Sequence, residues 1–120
     1  MNEYQAYQNF WSAFGIPAYD ESTVPDEAEM PYITYNVLVG EFEELLFPSI
    51  SIWYKGTSWT AVSEKALEIE SAIGYGGVTI PYDNGYIWIK RSTPSSQRLS
   101  DPDTLVRRMM LNLEVEYFRG

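Results

Sequence analysis

The stretch "RRMMLNLEVEYFR", residues 107–119, constrains this chain more than any other. Met109, Leu111, Leu113, Val115 and Tyr117 fall on alternate positions, with Arg108, Met110, Asn112, Glu114 and Glu116 between them. Side chains alternate across a strand, so this is a long strand with one apolar face. Such a strand belongs in an antiparallel sheet whose apolar side is covered by helices.

The rest of the chain supplies those partners. In "NEYQAYQNFWSAFG" the aromatics Tyr4, Tyr7, Trp11 and Phe14 recur every three or four residues, which predicts an amphipathic helix broadened by Phe10. Asn2 with Gln5 reads as a capping box, and Gly15 followed by Pro17 as a stop. Residues 18–31, acidic and aperiodic with Pro25 and Pro31, read as a loop. From Tyr32 the period becomes two: Ile33, Tyr35, Val37 and Val39 share a face opposite Thr34, Asn36 and Leu38, and Pro31 sits at the strand entrance where a missing N–H costs least. "EFEELLFP" is a charged connection, and "SISIWYKG" a second strand with Ile50, Ile52 and Tyr54 on one side.

Helical spacing returns in "TSWTAVSEKALEIESAIG". Trp59, Val62, Ala66, Ile69 and Ile73 face inward and Glu64, Lys65, Glu68 and Glu70 outward; Thr57, Ser58 or Thr60 serves as N-cap and Gly74 as stop. "VTIPYDNGYIWIKR" predicts a hairpin over about 77–82 and 86–91, turning at Asn84-Gly85, a pair suited to a type I′ turn. Pro81 puts its first strand at an edge or bulge. "STPSSQRLSDPD" reads as a polar loop. The expected architecture is α+β, one domain over residues 1–120, with a mostly antiparallel sheet of about four to five strands and two helices on one face.

Composition narrows the chemistry. Ten Tyr and four Trp among 120 residues require partly buried ring-packing surfaces. No apolar run reaches the roughly 20 residues of a membrane helix, and the N-terminus shows no signal sequence. With neither Cys nor His, disulfides, thiol nucleophiles, Cys/His zinc sites and imidazole catalysis are excluded. A net charge of −9 argues against general nucleic-acid binding. The charge is also unevenly placed: residues 1–56 hold nine acids and only Lys55, whereas residues 57–120 hold eight acids and seven bases.

No catalytic or metal constellation survives inspection. Asp20, Glu21, Asp26, Glu27 and Glu29 lack the spacing of a calcium loop. Ser63-Glu64-Lys65 lacks a serine–lysine spacing, and "GYGG" at 74–77 follows a helix and has no Lys-Ser/Thr after it. Glu114 and Glu116 share a strand face, a spacing more typical of a solvated edge than of a glycosidase pair. No enzyme activity and no cofactor are expected. Trp11 and Trp59 are placed in the core by their spacing. Trp53 and Trp88 remain open; in a two-layer fold, an aromatic on the second face is a contact surface.

Taken in order, "VPDEAEMPYITYNV", "SISIWYKGTSWTAVSEKALEIESAIG" and "DPDTLVRRMMLNLEVEYFR" resemble the tail terminator, or tail completion, proteins of long-tailed bacteriophages and prophages. The similarity spans nearly the whole chain in order and length, and includes Pro-Tyr-x-x-Tyr at 31–35. The resemblance implies a structural virion protein of the tail, assembled in the bacterial host cytoplasm. It would form a homo-oligomeric ring, commonly a hexamer, at the head-proximal end of the tail tube, stop tube polymerisation and meet the neck and head-completion proteins. No membrane or specific nucleic-acid partner is implied, though DNA would pass through the ring.

A ring needs two different surfaces that fit each other. The expected complementary patches are acidic Asp26, Glu27 and Glu29 against basic Lys90, Arg91, Arg98, Arg107 and Arg108, with ordinary surface charge as the plain alternative. The acidic loop is the part expected to shift on assembly. Rival functions are a head–tail joining protein of the same particle, a non-viral module binding a small ligand such as a cation or sugar, and, least favoured for want of a paired geometry, a small carboxylate-dependent enzyme.

Overall fold

A computed structural model describes residues 1–37 and 44–119. The chain runs α1 (Glu3–Trp11), a short 3-10 turn (Ser12–Phe14), β1 (Ala18–Asp20), β2 (Tyr32–Tyr35), β3 (Leu45–Leu46), β4 (Ser49–Lys55), α2 (Thr60–Ile73), β5 (Val78–Tyr82), β6 (Gly85–Leu99) and β7 (Val106–Arg119). Seven strands, more than the four to five expected because three-residue β1 and two-residue β3 are too short to show a period, form one sheet in the order β1-β2-β4-β7-β6-β5, with β3 pairing β7 beyond the end of β4. The β1–β2 pair is parallel and all other pairs are antiparallel.

The predicted strand at the C-terminus organises the whole. β7 lies at the centre, with β4 on one side and β6 on the other. Its alternating Met109, Leu111, Leu113 and Val115 join Ile33, Ile50, Ile52, Ile87 and Ile89 in a single buried layer. Both helices close that layer, α1 through Ala6, Tyr7 and Trp11, and α2 through Val62, Ala66, Ile69 and Ile73. Each fully buried Ile or Leu contributes roughly 1.5–3 kcal/mol, so this layer holds the fold together.

Local signals place the helices. The Asn2 side chain accepts from the Gln5 N–H at 2.9 Å, and the Gln5 side chain accepts from the Asn2 N–H at 3.0 Å, completing the capping box. Gly15 ends the 3-10 turn in the left-handed conformation (φ 84°). In α2 the residue before the helix is Trp59, and Ser58 Oγ accepts the Thr60 N–H at 3.1 Å. Lys65 and Glu70 do not point into solvent as expected. Lys65 Nζ donates to the Phe14 carbonyl at 2.7 Å, tying α2 to the end of α1. Glu70 accepts from Ser95 and lies 3.9 Å from Arg91, binding α2 to β6. Tyr4 also departs from its helix face: it is exposed, and Ala6 fills the core position instead.

Three other expectations are corrected. The 18–31 segment is not all loop, because Ala18–Asp20 adds a parallel edge strand to β2; three residues are too few to show a period. The polar loop at 92–103 is largely strand, since β6 continues to Leu99 across an irregularity between Arg91 and Ser96. β5 pairs only with the first part of β6, so Ser92–Leu99 is a half-covered edge and needs no apolar alternation. The hairpin turns at Asp83-Asn84, one residue early, because Tyr82 already pairs with Gly85. Pro81 does lie on an edge strand, and Pro31 does precede β2. The first predicted strand ends at Tyr35 with Val37 beyond it, while the expected positions Leu38 and Val39 fall outside the described residues.

Candidate functional site

Alternation decides what the other side of the sheet carries. If Ile52, Met109, Ile87 and Ile89 point at the helices, then Trp53, Arg108 and Trp88 must point away. Both tryptophans left open by the sequence therefore sit on the helix-free face, where they organise two clusters of cross-strand neighbours.

The first cluster crosses β1, β2, β4 and β7. Tyr19 meets Tyr32 edge-on at 5.7 Å between ring centres, and Tyr32 leans on Trp53 at 6.2 Å. The Arg108 guanidinium lies over the Trp53 ring at 4.4 Å. Tyr32↔Trp53 and Trp53↔Arg108 are direct cross-strand partners, so pairing register alone aligns them. The ladder also explains two buried hydroxyls outside the core. Thr34 Oγ1 accepts from Trp53 Nε1 at 2.9 Å, and Ser51 Oγ accepts from Arg108 Nε at 3.0 Å. Although both are on the helix-free face, Thr34 and Ser51 are only 6% and 5% exposed, shielded by the side chains they bind.

The second cluster lies at the other end of the sheet. Tyr86 stacks on Phe118 at 4.8 Å, Trp88 lies 6.5 Å from Phe118, and Lys90 Nζ sits 4.1 Å over the Trp88 ring. Lys90 also pairs with Glu116 at 3.3 Å, and Trp88 Nε1 donates to the Gly76 carbonyl at 2.9 Å. Exposed Leu45, the cross-strand partner of Glu116, borders it. Both clusters combine apolar area with fixed polar contacts, the composition of interface hot spots.

The structure divides the predicted basic patch between the two faces. Lys90 and Arg108 lie on the helix-free face. Arg91 lies on the helix side, 5.0 Å over Tyr75 and beside Glu70. Arg98 and Arg107 flank Trp59 at 4.8 and 5.5 Å, and Arg107 also donates to the Thr57 and Thr104 carbonyls. Trp59 is accordingly a half-buried prop at the rim of the core, whereas Trp11 is fully buried. Asp26, Glu27 and Glu29 are exposed on the segment between β1 and β2. None of the three makes a side-chain hydrogen bond or ion pair with a described residue.

Sequence reasoning missed Tyr19, Tyr32 and Ser51 as members of this face, while alternation already places Thr34 opposite Ile33 and Tyr35. The signal that finds them is register: once Trp53 is outward, everything directly or diagonally across from it is too. A separate open cavity of about 480 Å³ lies between α1 and the β1–β2 edge, lined by Tyr4, Gln8, Tyr19, Asp20 and Tyr35. Among the described residues, no group of three or more carboxylates is placed to hold a metal ion.

No family model matches the chain, and no curated protein matches it in sequence. A solved structure does share its fold: a chain from the "Virion of native gene transfer agent (GTA) particle" superposes with a TM-score of 0.68 at 15% identity. The match covers 98% of this chain and 91% of that one, so the two share a complete domain architecture.

Proposed function

We propose that this chain is a structural protein of a phage-like particle that caps the head-proximal end of the tail tube as a ring, a hexamer in the simplest case, stopping tube polymerisation and forming the head–tail junction. The observation that carries the reading is the end-to-end fold likeness to a chain of a gene transfer agent virion. The order of motifs that resembles tail terminators supports it independently. A sheet with one filled face and one aromatic, helix-free face is what a subunit needs if its second layer is provided by neighbours. The net charge of −9 is compatible with a ring that lets DNA pass without gripping phosphates. In this reading the partners are further copies of the chain, the tube protein, and neck or head-completion proteins, and the site of action is the virion tail.

The test is tail length. Particles lacking the protein should carry overlong tails that fail to join heads, and purified protein added to polymerising tube subunits should shorten the tubes. Normal free tails beside tailless heads would instead assign a head–tail joining role, which the same fold likeness accommodates. A large, saturable thermal stabilisation by a small cation or sugar, with no effect on tubes, would overturn both.

A further inference from the structure

The helix-free face carries a binding group that nothing in the monomer uses. Arg108 is held flat on Trp53, its Nε spent on Ser51 Oγ, while its two terminal amino groups make no hydrogen bond to any described residue. No carboxylate among the described residues comes within 4.0 Å of it, in contrast to Lys65, Lys90 and Arg91, each beside a glutamate. The hydroxyls of Tyr19 and Tyr32, next along the ladder, also make no hydrogen bond to the described residues. Exposed Lys55, two residues beyond Trp53 on the same strand face, adds positive charge. A planar guanidinium fixed by stacking, with phenolic donors in line, is a receptor for carboxylates.

The same chain carries the complementary group. Asp26, Glu27 and Glu29 project from a segment tightened by the Ala28 N–H to Pro25 carbonyl bond at 3.0 Å, and their carboxylates are unpaired among the described residues. The segment leaves and re-enters the sheet at β1 and β2, whereas Arg108 lies on β7, three strands from β1 and so roughly 14 Å across the sheet. The two groups do not pair within one chain. One sits at the sheet edge and the other on its face, so pairing them head to tail between successive copies is heterologous and closes into a ring, whereas a reciprocal exchange would make a two-fold dimer, which a wild-type chain sedimenting as a dimer would reveal.

We infer that the Arg108–Trp53–Tyr32 ladder of one copy receives the Asp26–Glu29 segment of the next. This rests on the ring reading above and specifies the contact that closes the ring. Of the basic residues predicted for that contact, Arg108 is retained; Arg91, Arg98 and Arg107 serve the helix side, and Lys90 is already paired.

The test uses two charge reversals, Arg108→Glu and the triple change Asp26→Lys, Glu27→Lys, Glu29→Lys, with self-association read by sedimentation velocity and folding by thermal melting. Each variant alone should self-associate at least about tenfold more weakly, since it sets like charges against each other at every junction. An equal mixture should reassemble. In an alternating ring every junction then sets either the native acids against Arg108 or the introduced lysines against the glutamate that replaces it, and only even-numbered rings form. Wild-type assembly by the triple variant overturns the inference, whatever Arg108→Glu does to folding. So does a mixture that stays dissociated while both variants melt like wild type. A wild-type ring unaffected by either reversal removes this contact and leaves the ring reading standing; a wild-type chain that remains monomeric, alone and on tube ends, removes both.

Discussion

Gly85 can be glycine for two different reasons, and they predict different mutants. From sequence, Asn84-Gly85 suits a type I′ turn, where glycine supplies a positive φ and Asn is the next-best residue. In the structure Gly85 is not among the positive-φ glycines and is already paired with Arg119. A Cβ there would lie 1.8 Å from the Phe118 carbonyl oxygen, 2.8 Å from its carbon and 2.9 Å from Arg119 Cα. A comfortable carbon–oxygen approach is about 3.3 Å, so β6 and β7 would have to part by roughly 1.5 Å. The obstacle is backbone, which cannot rotate aside as a side chain can.

The separation removes the Gly85–Arg119 and Tyr86–Phe118 pairs, the 3.0 Å Tyr82 hydroxyl bond to the Phe118 carbonyl, and the 4.8 Å Tyr86–Phe118 stack. At about 1 kcal/mol for each hydrogen bond and for the stack, Gly85→Ala should cost about 3–4 kcal/mol. That corresponds to a fall in Tm of roughly 10–15 °C for a domain of this size. Gly85→Asn should fare as badly, because Asn relieves positive φ and not crowding. Gly76, whose added Cβ would meet nothing within 4 Å, is the control, and Gly76→Ala should stay within about 0.5 kcal/mol. Differential scanning calorimetry of the three variants decides. A Gly85→Asn melting point within about 2 °C of wild type would refute the close-approach argument.

Removing the cap with Asn2→Ala should cost about 1 kcal/mol, read as a lower Tm in circular dichroism, because both bonds of the capping box are made. Trp11→Ala, at a fully buried ring wedged among Tyr7, Phe10 and Phe14, should cost about 3–5 kcal/mol in urea unfolding; a loss under about 1 kcal/mol would contradict that packing. Burial pushes the Tyr117 hydroxyl up to about 12, with nearby Tyr4, Glu3 and Tyr82 adding to the rise. Burial likewise raises Tyr7, Tyr117 adding and the Trp11 N–H opposing, although no hydrogen bond of regular geometry joins Tyr7 to Trp11. Both groups therefore hold protons that the unfolded chain releases near pH 10, so their contribution is complete below about pH 10 and declines above it by up to about 1.4 kcal/mol per pH unit each. Tyr117→Phe should flatten that alkaline decline in urea titrations, and an unchanged slope would contradict the assignment.

Long periodic segments were legible because their pattern reports directly on a buried layer. β7, β4, α1 and α2 all follow from alternate or three-and-four spacing against one core. What escaped detection was short or one-sided. Ala18–Asp20 is a strand because β2 is beside it, and Ser92–Leu99 because β7 is; neither carries a period of its own. The site was half legible for the same reason. Trp53 and Trp88 are ambiguous in the sequence, since alternation says that one set of residues must leave the core without saying which. Arg107 and Arg108, adjacent in sequence, read as one patch, yet adjacency on a strand sends them to opposite faces. Charge in sequence is a one-dimensional quantity, and the sheet divides it in two.

That division also bears on how the helix-free face can bind. An interface side chain that is mobile beforehand costs about 0.5–1.5 kcal/mol to immobilise on docking. Here Trp53 is already anchored to Thr34, Arg108 to Ser51 and Trp53, Lys90 to Glu116, and Trp88 to Gly76. The rings and cations are ordered before any neighbour arrives, so little of their apolar contact energy is consumed by ordering. The same anchoring limits choice: a guanidinium that cannot swing presents its donors in one direction, and a partner must bring a carboxylate to that place. In the proposed ring, apolar area would set how tightly neighbours hold, and the fixed charge which surface of the neighbour is accepted. A ring needs both properties, because a sticky face without a directional group would as readily pair with its own copy and close as a dimer.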